Sequence, residues 1–223
     1  MKLLLTSNGF THEVVIAKCE ELVGKSRSDI NVALINEGYT VENGDHTWLF
    51  DDWRHVKENF GGSFELVNLL GLSKEKVVER LSVSDIIFVT GGHTDYLMSV
   101  FDKTGFSDSL RMLLQSKVYV GISAGSMVLG RRNSTSAYLE IYDESEDYGV
   151  SQYLNVVDVS IKPHLNSSVF PKTRRENLLK VAQDFIGTIF AIDNFSAIVV
   201  DGDPKDYYLI GNESLKIVDG IEQ

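Results

Sequence analysis

The residues best suited to chemistry lie in one run, Gly121-Ile122-Ser123-Ala124-Gly125. The apolar stretch Val118-Tyr119-Val120 precedes it, and Met127-Val128-Leu129 follows. Strand, G-x-S-x-G turn and helix in that order are the setting of a nucleophile elbow. A serine at the tip of so tight a bend needs neighbours without a Cβ two positions away on either side. A helix starting just behind it directs free N–H groups and a positive dipole end at any negative charge that develops there. Ser123 is therefore the candidate nucleophile. The blander alternative is a small-residue turn where a helix packs close to a sheet.

A hydroxyl nucleophile needs a base. Of the five histidines, His12 and His55 fall in expected helices and His46 in a loop, which suits surface roles. His93 ends Thr90-Gly91-Gly92-His93 and is expected to line a substrate pocket. His164 follows an expected strand and Pro163, which holds the chain extended, so its imidazole can face Ser123. It is the candidate base. A third group should orient that imidazole. Glu140 is the first choice, with Asp143 in the same polar stretch and Asp193 after a later strand as further candidates. Gly91-Gly92 lets the backbone approach a ligand closely, and the N–H groups of Gly92 and Ala124 are the expected oxyanion-hole donors.

Positioning these groups requires strands that end at one edge. Leu3–Thr6, Asn31–Ile35, a segment within Ser63–Leu70, Asp85–Thr90 and the run before Ser123 read as strands. Helical patterns alternate with them: one from about Thr11 as N-cap, Trp48–Phe60, a Ser73-capped Lys74–Leu81, and one broken or two short helices over Leu97–Leu114. The alternation predicts an α/β fold, a doubly wound and mostly parallel sheet with helices on both faces. Arg131–Gln152 reads as a long polar loop or short hairpin, Tyr153–Ile161 as a strand and Lys172–Phe185 as a helix. Runs at Thr188–Ile192, Ala197–Val200, Tyr207–Ile210 and Lys216–Val218 predict a small antiparallel C-terminal extension. Without repeats or a clean linker, residues 1–223 are expected to form one domain.

Composition narrows the partners. Lys and Arg total 21 against 32 Asp and Glu, a net charge of −11, which disfavours nucleic acid and anionic membranes. The lone Cys19 allows no intramolecular disulfide. The short start Met1–Leu5 and the lack of a long apolar run predict a soluble cytoplasmic protein. No zinc-type cluster and no phosphate-binding glycine motif is present, so neither metal nor cofactor is expected. The expected partner is a small peptide substrate, and a homodimer is left open.

Three segments together, Thr90-Gly91-Gly92-His93-Thr94, Gly121-Ile122-Ser123-Ala124-Gly125-Ser126 and Lys162-Pro163-His164, resemble the motifs of the peptidase E family of serine peptidases, to which cyanophycinase is related. Their order and spacing carry the likeness, 31 residues from Gly92 to Ser123 and 41 from there to His164. Ser7-Asn8-Gly9 fits the family's start, and the resemblance spans roughly residues 1–200. It implies a fold like class I glutamine amidotransferases with serine in place of cysteine. It also implies dipeptidase action on peptides with N-terminal aspartate, with Ser123, His164 and an intervening acid as the triad. The sequence departs from the family where Gly-Gly-Asn becomes Gly-Gly-His, and over Arg131–Glu146, where the family carries its acid. Arg131, Arg132, Lys162, Arg174 and Arg175 are candidates for holding a substrate carboxylate. A carboxylesterase-like hydrolase, or an inert member of the fold acting as a binding protein, are the rival readings.

Overall fold

The structure, a computed structural model, describes residues 1–223. The chain runs β1 (Lys2–Thr6), α1 (Glu13–Val23), β2 (Val32–Ile35), α2 (Thr47–Asn59), β3 (Phe64–Leu66), α3 (Lys74–Ser82), β4 (Ile86–Val89), α4 (Thr94–Thr104), α5 (Phe106–Leu113), β5 (Val118–Ile122) and the one-turn α6 (Ala124–Met127). Then come α7 (Thr135–Tyr142), β6 (Ser160–Lys162), α8 (Arg175–Ala182), β7 (Thr188–Ile192), β8 (Ala197–Asp201), β9 (Tyr207–Ile210), β10 (Ser214–Val218) and β11 (Ile221–Glu222).

β2, β4 and β5 are buried at every position, as strands covered on both faces must be, and their continuous apolar runs follow from that. They sit inside a seven-stranded sheet of order β3-β2-β4-β5-β1-β8-β9. The first five strands are parallel, and β8 and β9 add antiparallel at one side. Alternate residues feed opposite layers. Leu3, Leu5, Ile87 and Val89 pack with Leu97, Phe101 and Leu110 of α4 and α5. Leu4, Ile86, Phe88 and Val120 pack with Val15, Cys19 and Val56 of α1 and α2. The expected doubly wound architecture is what these two layers build.

Several local expectations needed correction. His12, rather than Thr11, caps α1, its Nδ1 accepting from Val14 N–H. The helical stretch after β4 is, by contrast, two short helices as expected, broken at Gly105, which adopts φ +66° and ends α4. The polar stretch after Gly130 hides α7, capped by Ser134 and anchored by buried Ala137, Tyr138 and Ile141. The strand expected from Tyr153 shrinks to Ser160–Lys162. The amides of Leu154, Val156 and Val157 instead donate to the carbonyls of Val128 and Leu129, satisfying the open end of α6 rather than a ladder. A small C-terminal sheet forms as expected, but it does not take in every tail strand. β8 and β9 join the main sheet, while β7 and β10 combine with β6 and β11 in a second, four-stranded sheet of order β11-β10-β7-β6. In that sheet β6 runs parallel to β7, and the other pairs are antiparallel. A third cluster, including Leu165, Leu178, Ile189 and Ile217, fills the space between this sheet and α8. No helix is long and apolar enough to cross a membrane.

Candidate active site

Val89 of β4 lies opposite Gly121 of β5, and Thr6 of β1 opposite Ile122. The chain therefore leaves three neighbouring parallel strands at one edge, the usual place for a ligand in such sheets. Beyond β5 the backbone turns so sharply that Ser123 adopts φ +48° and ψ −113°, a strained state for a residue with a side chain. The flanking glycines are what make the turn fit. A Cβ on Gly121 would lie 2.6 Å from the Gly125 carbonyl carbon, and one on Gly125 would lie 2.2 Å from Val89 O. Main-chain atoms cannot step aside as a flexible side chain would.

The end of β1 clamps this turn. Thr6 O accepts from Ser123 N–H at 3.0 Å and from Ser126 Oγ at 2.7 Å, and Thr6 Oγ1 donates to Gly121 O at 2.7 Å. The next residue grips a different segment. Ser7 Oγ donates to Ile192 O at 2.9 Å and accepts from His164 N–H at 3.0 Å. Two consecutive residues thus fix the serine turn and the histidine loop relative to each other.

His164 Nε2 lies 3.0 Å from Ser123 Oγ. Its backbone is also unusual, with φ +66°, and its ring stacks on Phe170 with centroids 4.1 Å apart and planes 10° apart. The other ring nitrogen, Nδ1, lies 2.9 Å from Asn194 Oδ1. With Nδ1–H donating to that amide oxygen, Nε2 presents its lone pair to the serine hydroxyl. Burial disfavours the imidazolium and pushes the His164 pKa down to about 4, although the hydrogen bond to Asn194 acts in the opposite sense.

The orienting group is therefore an amide, and the expected acid Glu140 is elsewhere. Glu140 pairs with Lys180 at 2.8 Å on the outer side of α7, because the helix that forms there turns it away from the sheet edge. Asp143 pairs with Lys172 at 2.5 Å, and Asp193 Oδ1 accepts from Phe195 N–H at 3.1 Å. Asn194 is the residue next to the candidate Asp193. What places Asn194 is the parallel pairing of β6 with β7, Lys162 opposite Ala191. That register carries the turn after β7 alongside His164, and Leu165 N–H donates to Ile192 O at 3.0 Å.

Gly92 sits across the cleft from the serine turn. Its φ is +115°, and a Cβ there would lie 2.2 Å from the Gly38 carbonyl carbon, so the loop after β2 presses directly on the Gly91-Gly92 turn. The N–H groups of Gly92 and Ala124 donate to no acceptor within the protein. A serine hydroxyl, a neutral imidazole in contact with it and two free N–H donors are together capable of acyl transfer. His93 lines the same cleft, where its Nδ1 accepts from Tyr96 N–H and caps α4.

None of the cations considered for a substrate carboxylate lines the cleft. Arg132 is bound to Asp95 at 2.6 Å, Arg131 faces Asp158 at 3.6 Å and Arg175 pairs with Glu222. Arg174 donates to carbonyls of its own loop, including Ser167 O at 3.0 Å. Lys162 is wholly buried with Nζ 4.1 Å from the centre of the Tyr138 ring.

Comparison with known proteins points the same way as the geometry. A family model, peptidase family S51, matches residues 3–207. An uncharacterized peptidase from Listeria monocytogenes, Lmo0363, is 29% identical over 178 residues, covering 77% of this chain and 82% of its own. A protein named peptidase E from Nostoc sp. is 25% identical over 166 residues, 73% of this chain and 65% of its own. Among solved structures, a provisionally named peptidase E protein from Listeria monocytogenes EGD-e superposes with a TM-score of 0.75 at 23% identity, over 95% of this chain and 98% of that one. A peptidase from an acI-B1 actinobacterium gives 0.69 at 18% identity, over 100% and 92%. At these identities the two structures bear on the fold.

Proposed function

This chain belongs to peptidase family S51, and on that premise we propose that it hydrolyses small peptides through an acyl-enzyme on Ser123, with His164 as general base and Asn194 orienting the imidazole. The observation that carries the proposal is the 3.0 Å contact between His164 Nε2 and Ser123 Oγ. The hydroxyl proton passes to Nε2 as Oγ attacks the scissile carbonyl. The resulting oxyanion receives hydrogen bonds from the N–H groups of Gly92 and Ala124, each such donor being worth about 10²–10³ in rate. His164 then protonates the leaving amine, and water, deprotonated by the same nitrogen, hydrolyses the ester.

Asn194 fixes the tautomer without adding a negative charge. The base is thus held neutral over a wide pH range but forms its imidazolium at greater cost than an aspartate-backed one. The cleft encloses about 480 Å³, within the range of ordinary ligand sites and suited to a dipeptide or tripeptide. Dipeptidase or exopeptidase action is accordingly the form of peptidase activity we assign. The aspartyl preference implied by the sequence resemblance is left out of the assignment, because no lysine or arginine faces the serine.

The test is labelling with a serine-reactive phosphonate followed by peptide mass spectrometry. An adduct on Ser123 that disappears in His164→Ala supports the proposal. An unmodified Ser123 under conditions that label a control serine peptidase would refute it.

A further inference from the structure

The charged lining of the cleft is lopsided. Glu42, Asp52, Asp143, Glu144 and Glu146 contribute carboxyl groups, and no lysine or arginine does. Three of the five have company. Asp143 is paired with Lys172, Glu146 Oε2 lies 3.4 Å from His93 Nε2, and Glu144 Oε1 accepts from Thr94 Oγ1 at 3.0 Å. The other two make no hydrogen bond. Asp52, on α2, is only 9% exposed and makes no hydrogen bond, and its Oδ2 is buried without a partner. Glu42, on the loop after β2, lines the same space; its side chain makes no hydrogen bond, and the imidazoles of His93 and His46 are the nearby groups that favour its charged form. Burial pushes the carboxyl of Asp52 up to about 8 and also raises that of Glu42.

A carboxyl group placed in a cleft without a donor is destabilising unless something else supplies one. An organic cation is a strong donor of this kind, and no three histidine, cysteine or acidic side chains gather closely enough to hold a metal ion instead. We propose that the cleft selects its substrate by a basic side chain, lysine or arginine, adjacent to the scissile bond, with Asp52 as its counter-charge. Placement beside a scissile bond rests on the peptidase reading of Ser123; recognition of the cation does not. When the ammonium or guanidinium enters, it favours the charged form of Asp52 and completes a pairing the protein itself leaves open. A substrate carboxylate would find no lysine or arginine partner there.

Two measurements on the full chain separate this proposal from the peptidase reading. The first compares kcat/KM for Lys-Leu, Ala-Leu and Asp-Leu. The α-ammonium is common to all three, so differences report the first side chain. Lys-Leu should exceed Ala-Leu by about tenfold, the equivalent of one charge-assisted hydrogen bond, with Asp-Leu lowest. Asp52→Asn should shrink the Lys-to-Ala ratio, a quotient that a general loss of folded protein would leave alone. The second titrates Ser123→Ala with the same dipeptides by calorimetry. Tighter binding of Lys-Leu without any turnover by the wild type would support cation recognition and overturn the peptidase reading. Cleavage with Asp-Leu or Ala-Leu equal to or better than Lys-Leu would overturn cation recognition and leave the peptidase reading intact. Binding of none of the three to Ser123→Ala would also overturn it.

Discussion

Exchanging Asn194 for aspartate alters one atom and one charge behind the imidazole. The present amide oxygen is 2.9 Å from His164 Nδ1, so the centres of an imidazolium and a carboxylate in that place would be about 4 Å apart. At an effective dielectric of about 20 their attraction is about 4 kcal/mol, or roughly three pKa units. Residue 194 is partly exposed, so water screens the pair and takes back part of that gain. A net rise of about two units moves His164 from about 4 to roughly 6. The sign follows from the role proposed for the base. Only neutral imidazole accepts the serine proton, so the acid limb of kcat/KM should move upward by the same amount, from near pH 4 to near pH 6. The assay is the pH profile of whichever dipeptide is turned over, paired with an NMR titration of the His164 ring protons, which needs no turnover. A wild-type imidazole titrating near 6.5, or a limb that does not move in Asn194→Asp, would refute the reasoning.

Three more perturbations test other parts of the structure. Gly125→Ala drives a Cβ to 2.2 Å from Val89 O and should destabilise the fold by about 3 kcal/mol or more, read as a drop in melting temperature together with loss of activity. Glu140→Gln should leave kcat/KM unchanged, because Glu140 is engaged with Lys180; a hundredfold loss would return it to the site. Asp52→Asn should stabilise the protein as pH rises. The folded carboxyl titrates near 8 rather than at the ordinary 3.8, so its favourable contribution is complete only below the unfolded pKa and is lost as pH rises through 8. At pH 7 the gain on replacement is about 4 kcal/mol, and denaturant melts at pH 5 and pH 7 should show it larger at pH 7.

What could be read from the residues, and what could not, follows from how each feature is encoded. β2, β4 and β5 were legible because strands buried on both faces must be apolar throughout. Ser123 was legible because the bend around it tolerates so few residue types, and His164 because Pro163 marks the end of a strand. Asn194 carries no such mark. An amide in a turn looks like any other loop residue, and its position behind His164 is fixed by strand pairing between segments about thirty residues apart in the chain. The division of the tail between two sheets was hidden for a related reason. Alternating residues mark a run as a strand but do not say which edge it joins. The helix α7 was masked by polar neighbours, its buried face being only Ala137, Tyr138 and Ile141.

The grip of Thr6 and Ser7 has an outcome for the order in which this molecule matures. The hydroxyl of residue 123 and the imidazole of residue 164 meet through contacts to residues 6 and 7, and the imidazole's rear support waits on residue 194. That last support lies on a residue nearly nine-tenths of the way along the chain, so it is the final piece of the arrangement to leave the ribosome.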